Sequence, residues 1–474
     1  MKNRFEQKLL ELLGKERVFW DPAARLCYSL DGYPIQKHTP RAVALPETGQ
    51  EIQALVKLAL EEGVPILPRG AGTCLSGGAT PPKEPCLLVE LARMRKLLSW
   101  SPEDRYAIVQ PGLVNLDLSV LVGPKGLYYA PDPSSQKAST IGGNLAENAG
   151  GPHCFKYGMT TDHILAVRFV DGRGEFVHAD LEDGPDLVGL FTGSEGTFGI
   201  ATEIKVRLSP SPERIKTFLA SYPSMESACK AVSRIVRCGI VPAALEILDR
   251  LTIEAVEASV FAAGYPRDAE AVLLVELDGP ATEVEADSPR VVDLLEEERP
   301  LAIESTTDAE QRLRLWKGRK GAFGAMGRLK PNIFVLDGVV PTSKLASTLE
   351  QVAKIGKKHG IVLSNVFHAG DGNLHPNLSF DGRDPDETKR AMAAGMEILD
   401  LCVREGGSIS GEHGIGFEKR EAMRFMFDKE DLDAFGRLRA CFDPRRVCNP
   451  EKFFPTGGGC KEGRSAQFGE KSIV

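Results

Sequence analysis

Apolar positions along this chain recur in two rhythms, one of period near 3.6 and one of period 2. Phe5, Leu9, Leu12 and Leu13 share one side at helical spacing, so residues 1–30 read as a helical preface. Residues 42–45 are a short apolar run, hence a strand. Thr48-Gly49-Gln50-Glu51 has the spacing of a capping box. Ile52, Leu55, Val56 and Ala59 then recur at helical intervals up to Gly63, a C-terminal stop. Residues 64–67 complete a β-α-β unit that runs into a glycine-rich loop. Further on, residues 164–170 and 175–178 flank Asp171-Gly172-Arg173-Gly174 as a hairpin. Residues 201–208 alternate, with Ile204, Val206 and Leu208 on one face, until Ser209-Pro210-Ser211-Pro212 breaks the pattern and marks a domain boundary. Beyond it, helical stretches at 224–238, 308–328, 342–359 and 385–405 alternate with strand-like runs at 272–277, 333–340 and 361–367. That order predicts helices packed on a second sheet. From about Thr456 the residues are expected to be loosely ordered.

Composition narrows the possibilities. The 474 residues are 42% hydrophobic and 26% charged, enough to bury several cores, and length alone suggests two to four domains. The net charge of −8 argues against nucleic acid and gives no support for binding an anionic membrane surface. No apolar run approaches the roughly 18 residues of a membrane span. The N-terminus mixes charges into its apolar positions and has no signal core. Ten cysteines contain no Cys-x-x-Cys pair, which makes a disulfide framework or a self-contained iron–sulfur ligand set unexpected. A reduced, cytoplasmic protein is the expectation. The 48 glycines, unevenly spread, carry more information.

Pro68-Arg69-Gly70-Ala71-Gly72-Thr73-Cys74-Leu75-Ser76-Gly77-Gly78 follows a strand, where a dinucleotide site belongs. It begins Gly-x-Gly, but the last glycine of a Rossmann fingerprint is replaced by Leu75, and Gly77, Gly78, Pro81 and Pro82 cannot continue as a helix. Backbone N–H groups of a turn would have to cradle the phosphates instead. Thr140-Ile141-Gly142-Gly143-Asn144 with Asn148-Ala149-Gly150-Gly151 and Tyr157-Gly158 forms a second cluster, and Gly193-Ser194-Glu195-Gly196-Thr197-Phe198-Gly199-Ile200 a third. Any one could be a tight turn between strands. Three together point to one long cofactor lying across several loops.

The second half holds a different chemistry. His368-Ala369-Gly370-Asp371-Gly372-Asn373-Leu374-His375 ends a strand-like run, and its glycines permit a reversal that would bring both imidazoles to one point. Gly411-Glu412-His413-Gly414 is a second glycine-flanked pair. Two imidazoles and a carboxylate on separate loops suit a divalent transition metal with open positions. Histidines hydrogen-bonded singly at loop ends are the alternative.

In its first half the chain resembles the FAD-binding domain of the vanillyl-alcohol-oxidase class, through the loop at 68–78, Pro131-Asp132-Pro133, and the clusters at 140–144, 148–151 and 193–200. In its second half it resembles the C-terminal domain of FAD-linked D-2-hydroxy-acid dehydrogenases, nearest to the D subunit of glycolate oxidase and D-lactate dehydrogenases. The motifs are residues 367–377, Ser410-Gly411-Glu412-His413-Gly414-Ile415-Gly416, Phe442-Asp443-Pro444 and Asn449-Pro450-Glu451-Lys452. The resemblance implies an α+β chain: a helical segment (1–37), a two-part PCMH-type FAD-binding domain (38–210), an FAD-linked oxidase C-terminal α/β cap with the metal site (211–440), and a segment returning toward the FAD domain (441–474). Pro68, Arg69, Gly70, Ala71, Gly72, Thr73, Cys74, Ser76 and Gly77 would wrap the FAD pyrophosphate. Pro131, Asp132, Thr140, Gly142, Gly143, Asn144, Asn148, Gly151, Tyr157, Gly158, Glu195, Gly196, Gly199, Ile200 and Asn449 would complete the site. Relatives with covalent flavin carry a histidine in the first loop; Thr73 and Cys74 stand there, so non-covalent FAD is expected. Cys74 itself reads as a small buried residue rather than a reactive thiol.

The same resemblance implies that His368, His375 and Glu412 are metal ligands, His413 the base, Asn377 a substrate contact and Arg319 the clamp on a substrate carboxylate. A guanidinium suits that clamp because it is permanently charged and matches a carboxylate with two parallel hydrogen bonds. Zinc, manganese and iron are not separated. Lys317 and Lys320 fit a solvated helix face. Phe323, four residues beyond Arg319, shares its face, and Ile333-Phe334-Val335-Leu336 offers no second cation. Relatives that oxidise dicarboxylic hydroxy acids place polar or basic groups at these positions, so the resemblance implies a small monocarboxylate, glycolate or D-lactate, oxidised to the 2-oxo acid by hydride transfer to flavin N5. Without an NAD fingerprint or cluster ligands of its own, the chain would pass electrons to another protein, and the resemblance implies an iron–sulfur subunit, a second flavin subunit or an electron-transfer flavoprotein. The alternatives are a D-2-hydroxyglutarate-type dehydrogenase, a non-catalytic FAD-bearing subunit, and another flavin oxidoreductase such as an aromatic-alcohol oxidase. The last has no use for a His–His–Glu set.

Overall fold

The computed structural model describes residues 4–456, so the tail expected to be loose lies outside the described residues. The N-terminal preface is not one helix. Arg4–Leu13 is helical and buries Phe5, Leu9 and Leu13, but Gly14 at φ +77 ends it. Val18–Phe19 then pairs antiparallel with Ala42–Ala44, as a β-branched residue beside an aromatic one favours. The helix Gly49–Glu62 starts where Thr48 accepts a hydrogen bond from the Glu51 N–H and stops at left-handed Gly63. Its capping box is only half made, because the Glu51 carboxylate accepts from the Glu47 N–H and from Arg17 instead.

Val18–Phe19, Ala42–Ala44, Leu87–Glu90 and Ile66–Arg69 form a four-stranded sheet whose last three members run parallel. Residues 447–449 return to its edge, where the Ile66 N–H donates to Val447 and the Asn449 N–H to Ile66, both at 2.8 Å. A five-stranded antiparallel sheet (Leu97–Ser101, Tyr106–Val109, Gly199–Arg207, Ile164–Asp171, Phe176–Asp180) stands beside it with its own apolar core. Ser209–Pro210 still pairs with Leu127–Tyr128, so the serine–proline break lies within the first half's pairing.

The second half is built on an antiparallel sheet in which Ala302–Thr306, Arg214–Tyr222, Ala271–Gly279, Ala244–Asp249 and Val362–His368 are successive neighbours. Period-2 alternation sorts its side chains. Phe218, Leu245, Ile247, Leu273, Val275 and Phe367 pack under helices such as Met225–Arg237 and Leu345–His359. Leu219, Leu248, Val272, Leu274 and Val366 face the opposite way, against Arg250–Glu257 and Ala309–Met326. By the same alternation Thr217, Glu246, Glu276 and His368 share this second face. It is apolar at one end and polar at the other, and the polar end meets the glycine loops of the first half. Among the described residues no helix is long and apolar enough to cross a membrane.

Candidate active site

A cavity of 970 Å³ lies between the two halves, within the range of cofactor sites. Its first wall is glycine-rich. Pro68, Arg69, Gly70, Ala71, Gly72, Thr73 and Cys74 line it with no helix following, as the sequence pattern required. Thr140, Gly142, Gly143 and Asn144 line it from the helix Ile141–Glu147, whose first turn is capped by Thr140 on the Gly143 N–H. Glu195, Gly196, Gly199 and Ile200 supply the third side.

Nine of the residues expected at the cofactor stand behind this wall. Ser76 donates to the carbonyl of His413 at 2.9 Å, and Gly77 packs against Tyr33 and Phe417. The Pro131 carbonyl accepts from Asn115, and Gly151 lies against Asp132. Asn148 caps its helix and accepts from the Thr161 N–H. Tyr157 donates to Asp278 at 2.7 Å, with Gly158 turning beside Asp162. Asn449 donates to the carbonyls of Gly78 and Glu195, tying the first loop to the third.

The opposite wall carries the histidines. The strand Val362–His368 reverses through Gly372, which sits at φ +78 where a β-carbon would fall 1.9 Å from the Val340 carbonyl, and continues as Asn373–Leu374 and Pro376–Phe380. One ligand atom from each of His368, His375 and Glu412 lies within 4.8 Å of the others. Nε2 of His368 and Nε2 of His375 each lie 3.1 Å from Oε1 of Glu412. The other ring nitrogens are committed: His368 Nδ1–H donates to Glu246 at 2.6 Å, and His375 Nδ1–H donates to the Leu336 carbonyl at 3.1 Å. Both Nε2 lone pairs therefore face an oxygen that can only accept. That arrangement asks for a cation at its centre, and separations near 3 Å match ligands bonded at about 2.0–2.2 Å to one ion. Burial opposes charge on His368, but Glu246 and Glu412 outweigh it, so the same two carboxylates that would surround an ion draw a proton to Nε2 wherever an ion does not take that place.

His413 stacks on His375 with ring centroids 4.9 Å apart and planes 7° from parallel. Its Nδ1 is enclosed without a partner, and burial lowers its pKa to about 4, so the ring is uncharged at neutral pH. Its backbone is fixed by Asp337, which accepts from the N–H groups of Gly411, Glu412 and His413 and from the Lys419 ammonium. From the first half, Glu195 accepts from the N–H groups of Ile415 and Gly416 at 2.6 and 2.8 Å. The third glycine cluster thus holds the segment that carries Glu412 and His413.

Arg319 reaches the cavity from the helix Ala309–Met326, where its Nε donates to Glu246 at 2.5 Å and its Nη2 lies 3.4 Å from His368 Nδ1. Asn377 lines the cavity and donates to the His375 carbonyl at 3.0 Å. Lys317 is exposed as expected. Lys320 is not on a solvated face: it pairs with Asp132 at 3.0 Å across the two halves. Phe323 is 47% exposed at the rim.

Several residues escaped the sequence reading. Glu246 and Asp337 position the cluster, and each interrupts an apolar stretch as the one carboxylate, which is a legible signal in retrospect. His153 lies between Asp132 at 2.9 Å and Glu276 at 3.3 Å, joining the two halves. Glu147 lines the cavity beside the first loop.

Comparison with known proteins identifies the family. Residues 40–180 match the family described as FAD binding domain, and residues 211–453 the family described as FAD linked oxidases, C-terminal domain. Glycolate oxidase subunit GlcD of Escherichia coli (strain K12) is 45% identical over 92% of this chain and 88% of its own length. The subunit of the same name from Bacillus subtilis (strain 168) is 39% identical over 95% and 96%, and a D-lactate dehydrogenase of Anaerostipes hadrus is 30% identical over 88% and 90%. The fold is also that of p-cresol methylhydroxylase (TM-score 0.82, 18% identity, 94% of this chain and 96% of that one).

Proposed function

The chain belongs to the FAD-linked oxidases, and on that premise we propose that it oxidises a small D-2-hydroxy acid, glycolate or D-lactate, to the 2-oxo acid. The observation that carries this reading is the convergence of His368, His375, Glu412 and His413 on one wall of a cavity whose other wall is the glycine-rich cofactor site. An aromatic-alcohol oxidase would have no use for that set. The names of the Escherichia coli, Bacillus and Anaerostipes relatives support the substrate class.

His368, His375 and Glu412 would hold one divalent ion, zinc, manganese or iron. Bound FAD supplies a hydride acceptor, and the ion a Lewis acid for the substrate hydroxyl. Everything else is done by the chain. Arg319, with Nε spent on Glu246, pairs its remaining N–H groups with the substrate carboxylate, and Asn377 contacts the acid beside it. Together they orient the Cα–H bond, which makes the encounter effectively unimolecular. His413, neutral and enclosed, takes the hydroxyl proton. FAD is held without a covalent bond: the first loop has no histidine, and burial pushes the Cys74 thiol up, away from reactive thiolate. Acid precipitation of the protein should release all the flavin. Electrons then leave to a protein partner, an iron–sulfur subunit, a second flavin subunit or an electron-transfer flavoprotein. The relative named as a subunit supports this.

The test is anaerobic titration of the purified holoprotein with glycolate, D-lactate, L-lactate and D-2-hydroxyglutarate while flavin absorbance is followed. Bleaching by glycolate or D-lactate, and its loss on chelation without loss of FAD, is the expected result. A much higher kcat/KM for 2-hydroxyglutarate would overturn the size argument, and full activity in a verified metal-free sample would overturn the metal.

A further inference from the structure

Glu147 is the last residue of the helix Ile141–Glu147, at the end where carbonyl groups point outward and a negative charge is disfavoured. It lines the cavity, yet its Oε2 is enclosed and has no hydrogen-bond partner. Two features surround that oxygen. A β-carbon on Gly414 would fall 2.6 Å from Glu147 Oε2 and 2.9 Å from Glu195 Oε1, so the two carboxyl groups flank one point. Glu195 holds the charge of this pair, because each of its oxygens already accepts a backbone N–H, from Ile415 and from Gly416. The nearby cation is spent: the Lys419 ammonium donates to Asp337, Ser410 Oγ and the Gly414 carbonyl.

An ionised Glu147 would therefore bury an unsolvated oxygen next to a like charge. Burial and Glu195 both push its pKa up, which agrees with the geometry. In the neutral acid the enclosed Oε2 is the carbonyl end, an acceptor that proteins leave unpaired more readily than a donor. The hydroxyl end is then Oε1, which lies beside the first cofactor loop: a β-carbon on Gly78 would sit 2.6 Å from Oε1, with Cys74 Sγ 3.3 Å from the same point, so the Cys74 thiol donates to this oxygen and the acid's own O–H is left to donate elsewhere.

We propose that Glu147 is a cofactor-contacting acid, a neutral carboxyl whose Oε1–H donates a hydrogen bond to the flavin. The inference rests on FAD occupying the cavity and is independent of which acid is oxidised. A proton donor at the flavin favours the more electron-rich reduced form, so removing it should lower the midpoint potential.

The experiment uses holoprotein reduced photochemically, without substrate, so failure of the substrate assignment leaves it intact. Redox-difference infrared spectra should show the carbonyl stretch of a protonated carboxylic acid shifting on flavin reduction, and Glu147→Gln should remove that band while retaining FAD. Glu147→Ala should weaken the preference for reduced over oxidised flavin about tenfold, which for a two-electron couple is about 30 mV. Glu147→Gln, which keeps an N–H donor, should recover most of that loss. If Glu147→Ala does not load FAD, Glu147→Asp serves instead, since its shorter acid withdraws the donor; an unchanged potential there overturns the proposal. Superimposable difference spectra for wild type and Glu147→Gln overturn it as well, and would assign the proton to an interaction with Glu195 alone.

Discussion

Glu246 and His368 face each other across two antiparallel strands, and the Glu246 carboxylate accepts the His368 Nδ1–H at 2.6 Å. The other oxygen of Glu246 accepts from Arg319. One carboxylate thereby sets the tautomer of His368 and the direction of the Arg319 guanidinium. Partners of this kind typically change metal affinity by about 10–100-fold when removed. Glu246→Gln should retain its FAD absorbance but lose metal that much more readily on dialysis, as measured by elemental analysis. Equal metal retention in the variant and the parent would leave Glu246 a purely structural residue.

His413→Ala should keep FAD and metal and lose flavin reduction by substrate by at least about a hundredfold. The loss should appear in the single-turnover rate rather than in substrate affinity, because the ring's neighbours His375 and Asp337 hold position through their own bonds. Stopped-flow bleaching measures it, and a near-normal rate removes His413 from proton transfer.

His153 gives the fold a dependence on pH. Burial opposes its charge, but Asp132 and Glu276 outweigh burial and raise its pKa to about 10. The folded value lies above the unfolded value of about 6.5. Its stabilisation is therefore complete below pH about 6.5 and is lost as pH rises through about 10. His153→Gln should have a lower melting temperature than wild type at pH 6, by about 3 °C or more, and the two should converge by pH 10 to 11. Parallel curves over that range would show that His153 does not carry the contribution. Asp132 titrates at the other extreme, near 2, so it should add nothing to the slope in this range.

The parts of this architecture that the sequence displayed are those set by local rules. The helix after Thr48, the hairpin at Asp171-Gly172-Arg173-Gly174 and the helix bearing Arg319 follow from caps, turns and periodicity, all within a few residues. Arg214–Tyr222 and Ala244–Asp249 were not legible as strands, because their identity depends on neighbours more than 20 residues away. Ala281–Glu296 is helical despite Pro289 in its interior, since packing of Val284, Val291 and Leu295 on the sheet outweighs the breaker. At the site, His368, His375, Glu412 and His413 announced themselves through glycine-flanked motifs. Glu246 and Asp337 showed only as single carboxylates in apolar stretches and Glu147 not at all, because a carboxylate's role here is defined by which backbone N–H groups and rings the fold places around it. The bridge from Lys320 and His153 to Asp132 was equally invisible, being a contact between halves.

Gly150 tests whether the cofactor loops and the histidine cluster are mechanically one unit. A β-carbon there would fall 2.8 Å from Glu412 Oε2 and 2.9 Å from Cys154 Sγ. Gly150 does not occupy the left-handed region, so Gly150→Ala carries no backbone strain and acts only by crowding. The Cys154 thiol can rotate away, but Glu412 is held at its backbone by Asp337 and can yield only by swinging its carboxylate away from His368 and His375. Gly150→Ala should therefore bind FAD normally and retain less than about a tenth of the parent's metal at limiting supply, in the range expected when a ligand's orientation is lost. Restoring activity with excess divalent ion would place the defect at the cluster. Loss of FAD with metal retained would place it in the loop and separate the two sites.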